Sequence, residues 1–172
     1  RLIALDGTQF SLSNTPQVLA ERPKPRTRRG RPAFAKLTTA VLLEIGLHNP
    51  LAAAIGRQGE SEWALAHRLL ARLPKRALPL ADRLYGCAAF AVEARAACER
   101  VGSHFLVRVR THIKPQVRQR LTDGNRLVRV AVRERRGRSY HLVGWLDPRE
   151  IRVRVRREGQ RGREVRLWTT LL

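Results

Sequence analysis

Leu2-Ile3-Ala4-Leu5-Asp6-Gly7-Thr8 opens the chain with a short apolar run that stops on a carboxylate. Ala77-Leu78-Pro79-Leu80-Ala81-Asp82-Arg83 ends the same way, between two stretches of helical period. Two apolar strands that each finish on an aspartate, with helices between and after, describe an α/β protein whose functional edge lies at the strand ends. Around the first run, Phe10 and Leu12 alternate with polar residues, so the stretch reads as a strand, a tight Asp-Gly turn and a second strand. Residues 21–32 follow with Pro23, Pro25, Pro32 and six basic side chains, and read as an exposed basic loop. Ala33 to Gly46, with Leu37, Val41, Leu42, Leu43 and Ile45, reads as a third strand; a short helix would fit the same apolar run.

Ser61 to Leu73 carries Trp63, Ala66, Leu69, Leu70 and Leu73 on one helical stripe, and Pro74 stops it. Gly86 to Val101 is a second helix, with Phe90, Ala94, Ala97, Cys98 and Val101 on one side and Gly102 placed to close it. Phe105 to Val109 is the next strand. Beyond residue 110 the helical period disappears. Leu127 to Val132, Tyr140 to Trp145, Ile151 to Val155 and Val165 to Leu171 read as strands separated by Asp123-Gly124, Arg136-Gly137 and Glu158-Gly159. Ile151, Val153 and Val155 alternate with Arg152, Arg154 and Arg156, so one face is apolar and the other a row of guanidinium groups. Trp145 and Trp168 on these strands read as core. The expected organisation is an α/β core over 1–112 and an all-β basic lobe over 113–172, with no internal repeat.

The 172 residues hold 35 Lys plus Arg against 14 Asp plus Glu, a net charge of +21. Such a balance excludes an enzyme with a near-neutral surface and calls for a polyanionic partner, nucleic acid above all. Only Lys24, Lys36, Lys75 and Lys114 are lysines; the remaining basic residues are arginines, whose planar fork suits phosphate. Arg26, Arg28, Arg29 and Arg31 of the basic loop, with Arg152, Arg154 and Arg156, are the candidate contacts. They would read phosphate rather than sequence and be salt-sensitive. Cys87 and Cys98 share a helical face, no Cys-x-x-Cys pair exists, and the five histidines lack ligand spacing, which argues against zinc and a disulfide framework. No run of about 18 apolar residues suits a membrane helix. The chain opens on Arg1 and closes on the apolar Thr169-Thr170-Leu171-Leu172, which reads as a piece of a longer protein.

Asp6 and Asp82 are two of only four aspartates, and both stand at strand ends. If the strands lie parallel and adjacent, the carboxylates meet at one sheet edge and repel. Mg²⁺ or Mn²⁺, bound through one or two carboxylates and phosphate oxygens, relieves that repulsion. A metal pair so held can activate a nucleophile and stabilise a leaving oxygen on a phosphodiester. Taken singly, Asp6 could be a turn former and Asp82 a helix cap.

Leu2-Ile3-Ala4-Leu5-Asp6-Gly7-Thr8 with Phe10-Ser11-Leu12, and Leu78-Pro79-Leu80-Ala81-Asp82-Arg83 with Tyr85, resemble the first and second catalytic blocks of the DDE insertion-sequence transposases, "IS four" type. Glu60-Ser61-Glu62 leading into Leu69-Leu70 resembles the helix between those blocks, and residues 120–172 resemble the β-strand insertion. The resemblance implies a ribonuclease H-like mixed sheet with flanking helices, two divalent ions (Mg²⁺ or Mn²⁺) and double-stranded DNA as partner, at transposon ends and at the target. It also implies strand cleavage followed by strand transfer, a homodimer in the complete protein, and a bacterial cytoplasm with the nucleoid as location. Asp6 and Asp82 match the first two metal-binding acids, and Arg83 is placed to touch phosphate. The family's third acid lies in a Tyr-x-x-Arg-x-x-x-Glu-x6-Lys block beyond the Thr-Thr-Leu-Leu exit. Tyr140 does not head such a block, since Val143 and Asp147 stand where Arg and Glu would. Glu134, Glu150, Glu158 and Glu164 have no helix around them. This chain is therefore expected to bind DNA with little or no catalysis of its own. The alternative is a basic nucleic-acid-binding protein without chemistry, from a decayed element.

Overall fold

A computed structural model describes residues 1–25, 30–121, 124–156, 158–159 and 162–171. The elements run β1 (Leu2–Leu12), α1 (Pro16–Glu21), β2 (Ala35–Glu44), β3 (Asn49–Ile55), α2 (Glu62–Leu70), β4 (Leu78–Ala81), α3 (Ala88–Arg100) and β5 (Leu106–Arg108). Then follow β6 (Gln116–Arg120), β7 (Arg126–Arg136), β8 (Ser139–Leu146), β9 (Arg149–Val155) and β10 (Arg163–Thr169). The result is an α/β protein built on one mixed sheet of ten strands in the order β3-β2-β1-β4-β5-β10-β9-β7-β6, with β8 also paired to β7. β1 is antiparallel to β2, and β2 to β3. β4 lies parallel to β1, and β5 parallel to β4. β10 joins the far side of β5 antiparallel, so the C-terminal strands extend the same sheet.

Helix ends follow their local chemistry. Ser61 caps α2 by accepting the Ala64 N–H at 3.2 Å. At the end of α3 the chain turns through Gly102 at φ +59°, where Gly102 donates to Glu99 O and Ser103 donates to Cys98 O. That pair of bonds is a Schellman closure, and its left-handed residue favours glycine. Ile3 and Leu5 of β1, Leu65, Ala66, Leu69 and Leu70 of α2, and Phe90, Ala91, Ala94, Ala97 and Cys98 of α3 form one buried cluster, to which Val128, Val130, Leu146 and Trp168 of the later strands contribute.

Three expectations are corrected. Asp6-Gly7 is not a turn: β1 runs unbroken from Leu2 to Leu12 and pairs along its length with Ala35–Glu44. The hairpin partner lies beyond α1, because ten residues of antiparallel register with the apolar β2 bury more than a short self-hairpin could. Two strands were not anticipated, the alanine-rich β3 and the wholly exposed edge strand β6. Trp145 is not core: it is nearly half exposed, with the Arg129 guanidinium 5.9 Å from its ring centroid, whereas Trp168 is fully buried.

Candidate metal and nucleic-acid site

The register between β1 and β4 places the two aspartates. Leu2, Ile3, Ala4 and Leu5 stand opposite Leu78, Pro79, Leu80 and Ala81, so Asp6 and Asp82 are the next step along two adjacent parallel strands. Neighbouring strands lie about 4.8 Å apart. Ile3 and Leu5 point into the core, so alternation turns Asp6 to the opposite face. Both carboxylates belong to exposed residues. Asp6 Oδ1 accepts the Gly7 N–H at 2.9 Å, and Asp82 Oδ1 accepts the Leu84 N–H at 2.6 Å.

The turn that carries Asp82 is held by what packs against it. Arg110 donates through Nε to Arg83 O at 3.2 Å and through Nη2 to Leu84 O at 2.5 Å, while its backbone N–H donates to Gly86 O. Gly86 lies directly on β5: a Cβ built there would stand 1.9 Å from Arg108 O. Asp82, Arg83, Leu84, Arg110, Thr111 and His112 line an open depression of about 340 Å³ beside the carboxylate.

Two further residues belong to this edge, and their contact had no signal in the sequence. Tyr85 is fully buried, and its hydroxyl donates to Glu62 Oε1 at 2.6 Å. Glu62 in turn lies over β1 at Gly7, where a Cβ would come within 2.1 Å of its Cδ. Gly7 is thus explained by the close approach of Glu62, not by a turn. Burial raises the Tyr85 pKa far above the ordinary value of 10.0, with further contributions from the bond to Glu62 and from the charges of Glu62, Asp6 and Asp82. The hydroxyl is therefore a fixed donor, not a proton shuttle.

Hard carboxylate oxygens on adjacent strands are the donor type that Mg²⁺ or Mn²⁺ takes, and Asp6 and Asp82 would supply two of them. Among the described residues no three His, Cys, Asp or Glu side chains are gathered into a metal cage. Glu150 is not a third member. It sits on β9, which is separated from β4 by β5 and β10. Its fully buried carboxylate takes hydrogen bonds from Arg126, Arg152 (3.1 Å), Arg166 (3.0 Å) and Trp168 Nε1 (3.3 Å).

The candidate DNA contacts scatter. Arg83 is exposed beside Asp82, and Arg31 is exposed on the loop before β2. Arg154 and Arg156 are exposed at the end of β9. Arg152 is engaged by Glu150 and by Glu164 at 3.4 Å. Arg26, Arg28 and Arg29 lie outside the described residues. No helix among the described residues is long and apolar enough to cross a membrane.

No family model matches the chain. Over 86 residues, 49% of the chain, it is 30% identical to the Escherichia coli K12 protein named "Putative transposase InsZ". The aligned stretch spans 29% of that relative's length. The similarity is thus to a protein named as a transposase, over less than a third of that protein's length.

Proposed function

We propose that the chain is the core portion of a DDE insertion-sequence transposase of the "IS four" type, with a ribonuclease H-like sheet. The observation that supports this reading is the parallel β1–β4 register, in which Asp6 and Asp82 directly follow the paired Leu5 and Ala81 where β4 ends. The strand order β3-β2-β1-β4-β5, with one antiparallel meander followed by two parallel additions, supports the ribonuclease H-like assignment. Asp6 and Asp82 would hold Mg²⁺ or Mn²⁺, two ions in the complete enzyme. When bound, these supply Lewis-acid activation of a phosphodiester and of the attacking hydroxyl. The chain's own part is to hold the two carboxylates at fixed spacing, to place the Arg83 guanidinium beside them for phosphate, and to offer Arg31, Arg154 and Arg156 to the duplex. Double-stranded DNA, as transposon end and as target, is the substrate; a homodimer and a place on the nucleoid in the bacterial cytoplasm belong to the same proposal.

Mn²⁺ at about ten times its Kd should raise the melting temperature by about 3–5 °C, and Asp82→Asn should remove that rise. An unchanged rise in the variant would end the metal-site reading. Affinity for random duplex should fall about a thousandfold between roughly 50 and 200 mM salt, through counterion release at phosphate contacts; a flat response in a filter-binding titration would refute phosphate-driven binding. A basic binding module without chemistry would keep the salt dependence and show no metal effect.

A further inference from the structure

We infer that the Tyr85–Glu62 hydrogen bond is a positioning clamp that keeps the turn bearing Asp82 in register with Asp6; the inference rests on the metal-site reading above. Tyr85 follows Asp82 by three residues and leaves the exposed turn for the core, where its ring lies 5.1 Å from that of Phe90. Its hydroxyl reaches the first turn of α2, and the Glu62 side chain that receives it rests on Gly7, the residue after Asp6. One contact chain thus runs from β1 at Gly7, through Glu62, to the turn of Asp82.

Among the described residues, Arg110 holds the opposite side of that turn through its carbonyls. Those bonds fix the height of the turn over β5. Among the described residues Glu62 is the partner that ties it toward β1. Without this bond the turn loses its tie to α2 and can shift away from β1, which loosens the Leu84–Asp82 bond that orients the carboxylate. Glu62 and Tyr85 therefore act through Asp82, without themselves touching metal or DNA.

The test measures amide exchange at Leu84 by NMR and Mn²⁺ affinity by electron paramagnetic resonance. It compares the unaltered chain with Tyr85→Phe, Glu62→Ala, Glu62→Gln and, as control, Asp82→Asn. Tyr85→Phe keeps the ring against Phe90, and Glu62→Ala reports on the same bond from a partly exposed position should the first variant fold poorly. Each should speed exchange at Leu84 and weaken Mn²⁺ binding about tenfold, as loss of an outer-shell partner does. Combining them should cost no more than either alone. Glu62→Gln, whose amide oxygen accepts the same bond, should stay close to the unaltered chain. Glu62→Gln as harmful as Glu62→Ala would make the charge rather than the bond the active feature and overturn the clamp. Unchanged Leu84 exchange in Tyr85→Phe would overturn it too. If the unaltered chain binds no Mn²⁺, the metal-site reading fails, and the exchange measurement still decides the clamp.

Discussion

Glu150→Ala should cost about 3–5 kcal/mol of unfolding free energy, the usual penalty for removing one partner of a buried ion network. That is a large share of the roughly 5–15 kcal/mol that holds a domain together. The reason lies in what would remain. Glu150 is 0% exposed, and Arg126 and Arg166, at 18% and 12% side-chain exposure, would be left as largely buried cations without the carboxylate that pairs them. Trp168 would also lose its acceptor in the core. Because Glu150 ties β9 to β7 and β10, the loss should open the C-terminal half of the sheet first. Urea unfolding checks the magnitude; a change below about 1 kcal/mol would mean the network is solvated in solution.

The same carboxylate predicts an acid limb. Burial alone would raise the Glu150 pKa, but hydrogen bonds from Arg152, Arg166 and Arg126 outweigh it and hold the group below its ordinary 4.5. A group lowered in the folded state contributes stability that is complete above its unfolded pKa and is lost as pH falls through the folded one. Stability should therefore decline below about pH 4.5. Glu150→Gln, which cannot titrate, should be less stable near neutrality and show a shallower fall below that pH.

Gly86→Ala should be the second severe change. Gly86 has an ordinary φ, so the obstacle is space: the new methyl would stand 1.9 Å from Arg108 O and 2.9 Å from Arg108 C. Both are backbone atoms of β5, which cannot swing aside as a side-chain tip can. Overpacking of this kind costs about 1–3 kcal/mol, and a rigid backbone neighbour puts this site at about 3. The turn must lift away from β5, breaking the Arg110 N–H bond to Gly86 O and shifting Asp82 with it. Thermal unfolding should show the loss of stability, and the Mn²⁺-induced rise in melting temperature should disappear even well below the new midpoint. A variant with the original midpoint and metal response would show that the turn has room this packing denies.

Much of this was visible in the chain itself. The stripe of α2, the closure of α3 at Gly102 and the place of Asp82 at the end of β4 depend on neighbours within a few residues, so local pattern suffices. β3 escaped notice because Ala52-Ala53-Ala54 has no strand propensity of its own and is strand only through pairing with β2. β6 escaped because an exposed edge strand, Gln116–Arg120, needs no apolar alternation.

By itself the sequence determined the element types over most of the chain, the excess of positive charge, and the two carboxylates that each follow a short apolar run. Only the tertiary structure decided that β4 adds parallel beside β1, that Glu62 fills the gap above Gly7, and that Glu150 rather than Glu134 or Glu164 is the buried acid. Glu150, Arg152 and Arg154 look alike as an alternating strand, and Asp6-Gly7 looks like any turn. What separates them is which distant strand or helix comes to lie alongside, and that is settled by the burial gained over the whole sheet, not by any short window of residues.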